Sequence, residues 1–166
     1  YESVRNRASV TYTATADVDE EVILGGLAGV SNGGKFDECS NSGTISFEAA
    51  GLIHKAVSLG GLVGLVDNQN AKTDFTSCVN RGQVILNAKY GDPACEFSYG
   101  GSGNTRGINL GGIVGTSSYS GENMPSFLQC INETDGKVSL YHSDFSALDP
   151  SDTFGTVSVA GILGFG

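Results

Sequence analysis

Two stretches of this sequence concentrate side chains that could recognise a ligand. Residues 87–107 carry Tyr90, Phe97, Tyr99 and Arg106, and residues 141–156 carry Tyr141, His142, Asp144, Phe145, Asp149, Asp152 and Phe154. Aromatic faces stack on sugar C–H surfaces while Asp, Asn and Arg fix hydroxyl groups, so this mixture suits a glycan site. The same rings could instead fold back as a satellite apolar cluster under long loops.

Other reactive side chains point to less. Cys39, Cys78, Cys95 and Cys130 form no C-x-x-C or C-x-C pair, and His54 and His142 lie far from them. That spacing does not describe a zinc site, and four cysteines are too sparse for a disulfide framework. Asp17, Asp19, Glu20 and Glu21 offer oxygen ligands for Ca²⁺, but their spacing fits neither an EF-hand loop nor a G-G-x-G-x-D nonapeptide. A solvated acidic edge is the plainer reading. His142 beside Asp144 has no Ser or Cys nucleophile with an assigned partner, so no catalytic residue is assigned. His54 reads as an exposed loop residue. No metal and no organic cofactor is implied.

Composition narrows the class. Charged residues are 16% and hydrophobic residues 39%, which disfavours disorder. Glycine is abundant, 25 residues with only 3 prolines, but has no collagen period. The net charge of −9 argues against a nucleic-acid partner and against docking on anionic lipid. No apolar run is long enough to insert in a membrane. The first residue is Tyr1 rather than Met, so the chain is expected to be a mature or excised piece.

What must position the two stretches is an internal repeat. Val22-Ile-Leu-Gly-Gly-Leu-Ala-Gly29 recurs at Val57–Gly64, at Ile108–Gly115 and, with one Ala for Gly, at Val157–Gly164. Between these runs, Phe36-x-x-Cys39-x-Asn41-x-Gly43-x-Ile45 recurs as Phe75-x-x-Cys78-x-Asn80-x-Gly82-x-Val84. Phe127-x-x-Cys130-x-Asn132 follows, with two extra residues before Gly136-x-Val138, and Tyr1-x-x-Val4-x-Asn6-x-Ala8-x-Val10 is a worn first copy. The whole chain therefore reads as one repeat domain of four units, 1–35, 36–74, 75–126 and 127–166.

Each unit has three short segments with alternating apolar residues, the period of a strand. Strands so short cannot stand alone, but stacked units pair them in parallel about 4.8 Å apart. The predicted fold is all-β: a parallel β-solenoid, right-handed like most parallel crossovers, of about four coils with three short strands per coil. Stacking turns the repeats into ladders. Tyr1, Phe36, Phe75 and Phe127 form an aromatic stack; Cys39, Cys78 and Cys130 form a column of buried thiols, too far apart in register for disulfides. Asn6, Asn41, Asn80 and Asn132 form an amide ladder. Asn132 also begins an N-x-T sequon, which its ladder position discounts. Gly43 and Gly82 are expected at positive φ, and the Gly-Gly pair at a bend. Thr11, Ser46, Ser58, Asn109, Ser139 and Ser158 are expected to face outward.

The G-G-L-x-G runs followed by C-x-N-x-G-x-[VI] resemble GLUG-motif repeats, found in large bacterial surface proteins, including streptococcal immunoglobulin A proteases and adhesin-like proteins of Bacteroidetes. The resemblance spans nearly the whole chain. It implies a repeat architecture, an extracellular or bacterial cell-surface location and a role in adhesion or display. It carries no catalytic residues. Departures occur at Val4, Ala8 and Ala160 and in the fourth-unit insertion.

Function is expected in the segments that vary between coils. Two connections between the second and third strands have nine residues, 13–21 and 48–56, against 21 in 87–107 and 16 in 141–156. Both long loops leave the same corner of adjacent coils and should form one patch. The expected function is non-catalytic binding of a host or glycan ligand there. A polysaccharide-active β-helix enzyme is the alternative, although no carboxylate column lines a strand face; a purely structural stalk is another. Exposed edges at both ends predict a fragment of a longer array with flanking domains, or end-to-end pairing.

Overall fold

The computed structural model describes residues 1–51, 53, 55–88, 107–142 and 157–165. Regular structure among them is entirely β. Coil 1 contributes β1 (Arg5–Asn6), β2 (Val10–Ala14), β3 (Val22–Gly25) and β4 (Ala28–Ser31). Coil 2 adds β5 (Gly34–Asp37), β6 (Ser40–Asn41), β7 (Ile45–Ala49), β8 (Val57–Gly60) and β9 (Val63–Asn68). Coil 3 repeats them as β10 (Thr73–Thr76), β11 (Val79–Asn80), β12 (Val84–Ala88), β13 (Ile108–Gly111) and β14 (Val114–Tyr119). Coil 4 closes with β15 (Ser126–Leu128), β16 (Ile131–Asn132), β17 (Val138–His142), β18 (Val157–Ala160) and β19 (Leu163–Phe165).

Every strand pairs in parallel with its equivalent one coil away. The sheets run β15-β10-β5, β1-β6-β11-β16, β17-β12-β7-β2, β18-β13-β8-β3 and β19-β14-β9-β4. This is a parallel β-solenoid. Its register is the one the repeats dictate: Phe36 is opposite Phe75 and Phe75 opposite Phe127, and Asn41 is opposite both Asn6 and Asn80.

A full coil has five strand segments where the sequence led us to expect three. Two corners make the difference. The first lies between the Phe and Cys positions, where Ser3, Glu38, Ser77 and Gln129 take φ of 53°, 49°, 53° and 55°. One left-handed residue per coil breaks the segment into two short strands, and each costs about 1–2 kcal/mol that the neighbouring ladders must offset. Gly43 and Gly82 are not among the residues with positive φ. Glycine stands there for space: a Cβ on Gly82 would overlap the Gly43 carbonyl oxygen, and one on Gly43 the Ala8 carbonyl.

The second corner is the Gly-Gly pair, which folds each third segment into an arch. A Cβ on Gly60 or Gly111 would overlap the Val63 or Val114 carbonyl across the arch. On Gly64 it would lie 2.8 Å from the Leu24 carbonyl oxygen and 2.9 Å from that of Gly29. The missing side chains thus let β4, β9 and β14 lie directly on β3, β8 and β13. Ser58 and Asn109 are consequently buried rather than outward-facing, and Ser58 Oγ lies 2.7 Å from Thr116 Oγ1.

Two apolar clusters fill the cross-section. One joins the second-segment strands to β3, β8 and β13 through Ile45, Phe47, Leu59, Val84, Leu86 and Leu110. The other gathers Phe36, Phe75, Cys39, Cys78, Leu62 and Ile113. Phe36, Phe75 and Phe127 of this cluster stack face to face, and the exposed Tyr1 extends the stack from Phe36, with successive centroids from Tyr1 onward 4.8, 4.9 and 5.0 Å apart. Phe75 is fully buried with a ring on either side, so Phe75→Ala should cost about 3–5 kcal/mol in urea unfolding. Tyr1→Ala, at an end coil and 67% exposed, should cost far less.

Candidate functional site

The strands fix where the long connections begin and end. Ala88 pairs with His142 at the start, and Ile108 with Val157 at the return. The two connections therefore leave and re-enter adjacent coils at paired positions. In coils 1 and 2 the corresponding short connections tuck Val18 and Ile53, bridged to each other, into the core. Of the candidate ligand-binding residues, Tyr141 is on β17, 57% exposed and opposite Asn87. Tyr90, Phe97, Tyr99, Arg106, Asp144 and Phe145 lie outside the described residues, as do Cys95 and His54.

The amide ladder behaves as its spacing requires. Nδ2 of Asn6, Asn41 and Asn80 donates to Oδ1 of the next Asn at 2.8, 2.9 and 2.8 Å. Each second N–H donates to a carbonyl of its own corner: Ala8, Gly43 and Gly82. Asn132 Nδ2 donates to the Gly136 carbonyl, so the sequon amide is already engaged.

The thiol column is structural. Cys39, Cys78 and Cys130 are free thiols, each donating to backbone carbonyls such as Tyr1, Phe36 and Phe75. Hydrogen bonding to Cys130 and burial push the Cys78 thiol well up, whereas the more exposed Cys130 ionises first. In the native protein, iodoacetamide should label Cys130 before Cys39 and Cys78, which peptide mass mapping would show.

The acidic residues Asp17, Asp19, Glu20 and Glu21 line a shallow depression with Tyr12 and Val18 on coil 1. No three His, Cys, Asp or Glu residues among those described are placed to hold a metal ion.

A second surface escaped the sequence reading. The outer side of β1, β6 and β11 forms a groove of about 400 Å³ lined by Arg5, Arg7, Arg81, Ser40, Ser42 and Val79, with Glu38 at its side. Three of the chain's four arginines meet there, on a protein of net charge −9. Because each ladder Asn points inward, the residues flanking it must point out, and Arg5, Arg7 and Arg81 all flank ladder positions. That adjacency was the available signal. Arg81 grips Glu133 through Nη2–Oε1 at 2.7 Å and Nε–Oε2 at 3.0 Å. Both partners are well exposed, so the pair contributes at most about 1 kcal/mol.

The fold and its surfaces define a parallel β-solenoid whose coils differ in their connections and outer charges. No family model, curated protein or solved structure matches the chain.

Proposed function

We propose that this chain is a non-catalytic repeat module that binds a host glycan through the surface formed by residues 87–107 and 141–156. The observation that supports the reading most is the pairing of both connections at their bases, Ala88 with His142 and Ile108 with Val157. Paired bases start and end the two aromatic-rich segments at neighbouring positions of a rigid frame, which binding needs and a plain spacer does not. The GLUG-like repeats, and with them an extracellular or bacterial cell-surface setting, belong to the same proposal. So does the absence of a catalytic role: the residues offered for recognition are rings, Arg and Asp without a nucleophile.

A glycan array probed with the parent protein and with Tyr99→Ala and Phe145→Ala variants tests this. Binding that disappears in the variants is the expected outcome. Binding unchanged by both removes the loop surface from the proposal, and binding to no glycan returns the module to a stalk. Release of reducing ends from a bound polysaccharide would make it an enzyme.

A further inference from the structure

We propose that the arginine groove on β1, β6 and β11 is a separate site for a carboxylate-bearing saccharide, whose carboxylate is held by Arg5 and Arg7. The two arginines flank Asn6 on the outer surface of coil 1, about 7 Å apart along the chain. Neither has an ion-pair partner within 4.0 Å among the described residues, whereas Arg81 is held by Glu133. Two uncommitted guanidiniums at one end of a groove thus face outward on a protein that is otherwise strongly acidic. The Arg81–Glu133 fork, two coils down the same column, shows that this corner accommodates bidentate guanidinium–carboxylate geometry.

The rest of the lining selects what carries the carboxylate. Ser40 and Ser42 present hydroxyls, and Val79, opposite Ser40 in the next coil, an apolar spot. Hydroxyl partners plus a small apolar surface suit a sugar ring. The overall charge of −9 opposes a long polyanion such as nucleic acid far more than a short acidic oligosaccharide of few charges. Glu38 opposes the ligand. It lines the same groove, accepts a long bond from Ser3 Oγ at 3.4 Å, and pairs with no arginine among the described residues.

The test is titration of the protein with a galacturonate tetramer and with its carboxyl-reduced counterpart, followed by NMR or calorimetry. The acidic tetramer should bind and the reduced one should not. Arg5→Gln with Arg7→Gln should weaken binding at least about tenfold, since charge-assisted hydrogen bonds are lost. Glu38→Gln should tighten it about two- to fivefold. Both arginines are exposed, so the double variant should keep the parent's melting temperature. Tyr99→Ala and Phe145→Ala should leave this binding unchanged, which separates its fate from that of the loop surface. Equal affinity for the reduced tetramer, insensitivity to the arginine substitutions, or no binding at millimolar ligand would overturn the proposal. Inorganic sulfate bound as tightly as the tetramer, or a short DNA bound more tightly, would do the same.

Discussion

Asn80→Asp should unfold this protein at neutral pH or leave it about 4–5 kcal/mol less stable, and acidification should return part of the loss. Asn80 is fully buried and makes four hydrogen bonds. It accepts from Asn41 Nδ2 and the Gly82 N–H, and donates to Asn132 Oδ1 and the Gly82 carbonyl. A carboxylate keeps the two accepted bonds but sets oxygen against oxygen at the two donated ones, at 2.8 and 2.7 Å. The folded state therefore favours the protonated acid and raises its pKa above the unfolded value of roughly 3.9. With the folded pKa raised, the variant is least stable, relative to the parent, above that pKa. It regains ground as pH falls toward the unfolded value, where the acid O–H restores one donor. Asn80→Leu controls for the parent's own acid sensitivity, because it loses all four bonds at any pH and carries no titrating group. Asp74, whose carboxyl is held below its ordinary value by Ser126 first and Lys72 next, pulls the other way: its contribution fades as pH falls. The readout is thus the difference between the Asn80→Asp and Asn80→Leu variants in urea midpoints from pH 7 to pH 4. A difference that does not move with pH would show that the ladder does not discriminate donor from acceptor.

The ladders were legible because identical residues recur in phase, and parallel stacking leaves a repeated residue only one place to go. Cys39, Cys78 and Cys130 could be placed over one another without knowing where a strand begins. The alternation in Val57-Ser58-Leu59 marked two faces but not what covers the second. It is covered because Gly64 and Gly115 allow a second sheet to close on it, and a close approach of backbones leaves only a glycine in the sequence. The left-handed corner left even less: Ser3, Glu38, Ser77 and Gln129 share a φ but no side-chain type. Neighbouring ladders impose that conformation, so propensity does not reveal it. The arginine groove was hidden for the opposite reason. Comparing repeats discards what differs between them, and Arg7, Ser42, Arg81 and Glu133 occupy one column with three different chemistries.

Gly61→Ala should be among the most damaging single methyl groups that can be added to this chain, while Gly161→Ala should be nearly silent. The two positions are equivalent in the repeat. At Gly61 a Cβ would overlap the Gly112 carbonyl oxygen of the next coil and lie 2.5 Å from Asn80 Cγ. Neither can retreat: the carbonyl belongs to the next arch, and the amide is fixed by its four hydrogen bonds. Gly112 is hemmed in the same way by the Gly161 carbonyl and Asn132. Among the described residues, nothing lies within 4 Å of a Cβ on Gly161, and no described coil stacks on it. The expected cost at Gly61 is at least about 3 kcal/mol, with a fall in melting temperature of about 10 °C. At Gly161 a change within about 0.5 kcal/mol is expected. The contrast separates two explanations of the Gly-Gly motif. If glycine were needed for backbone conformation, both substitutions would hurt alike, since equivalent arches require equivalent dihedrals. If it is needed because coils stack within a carbon's width of one another, only the covered copy should fail. Equal losses at the two sites would return the motif to conformation and remove close stacking as its cause.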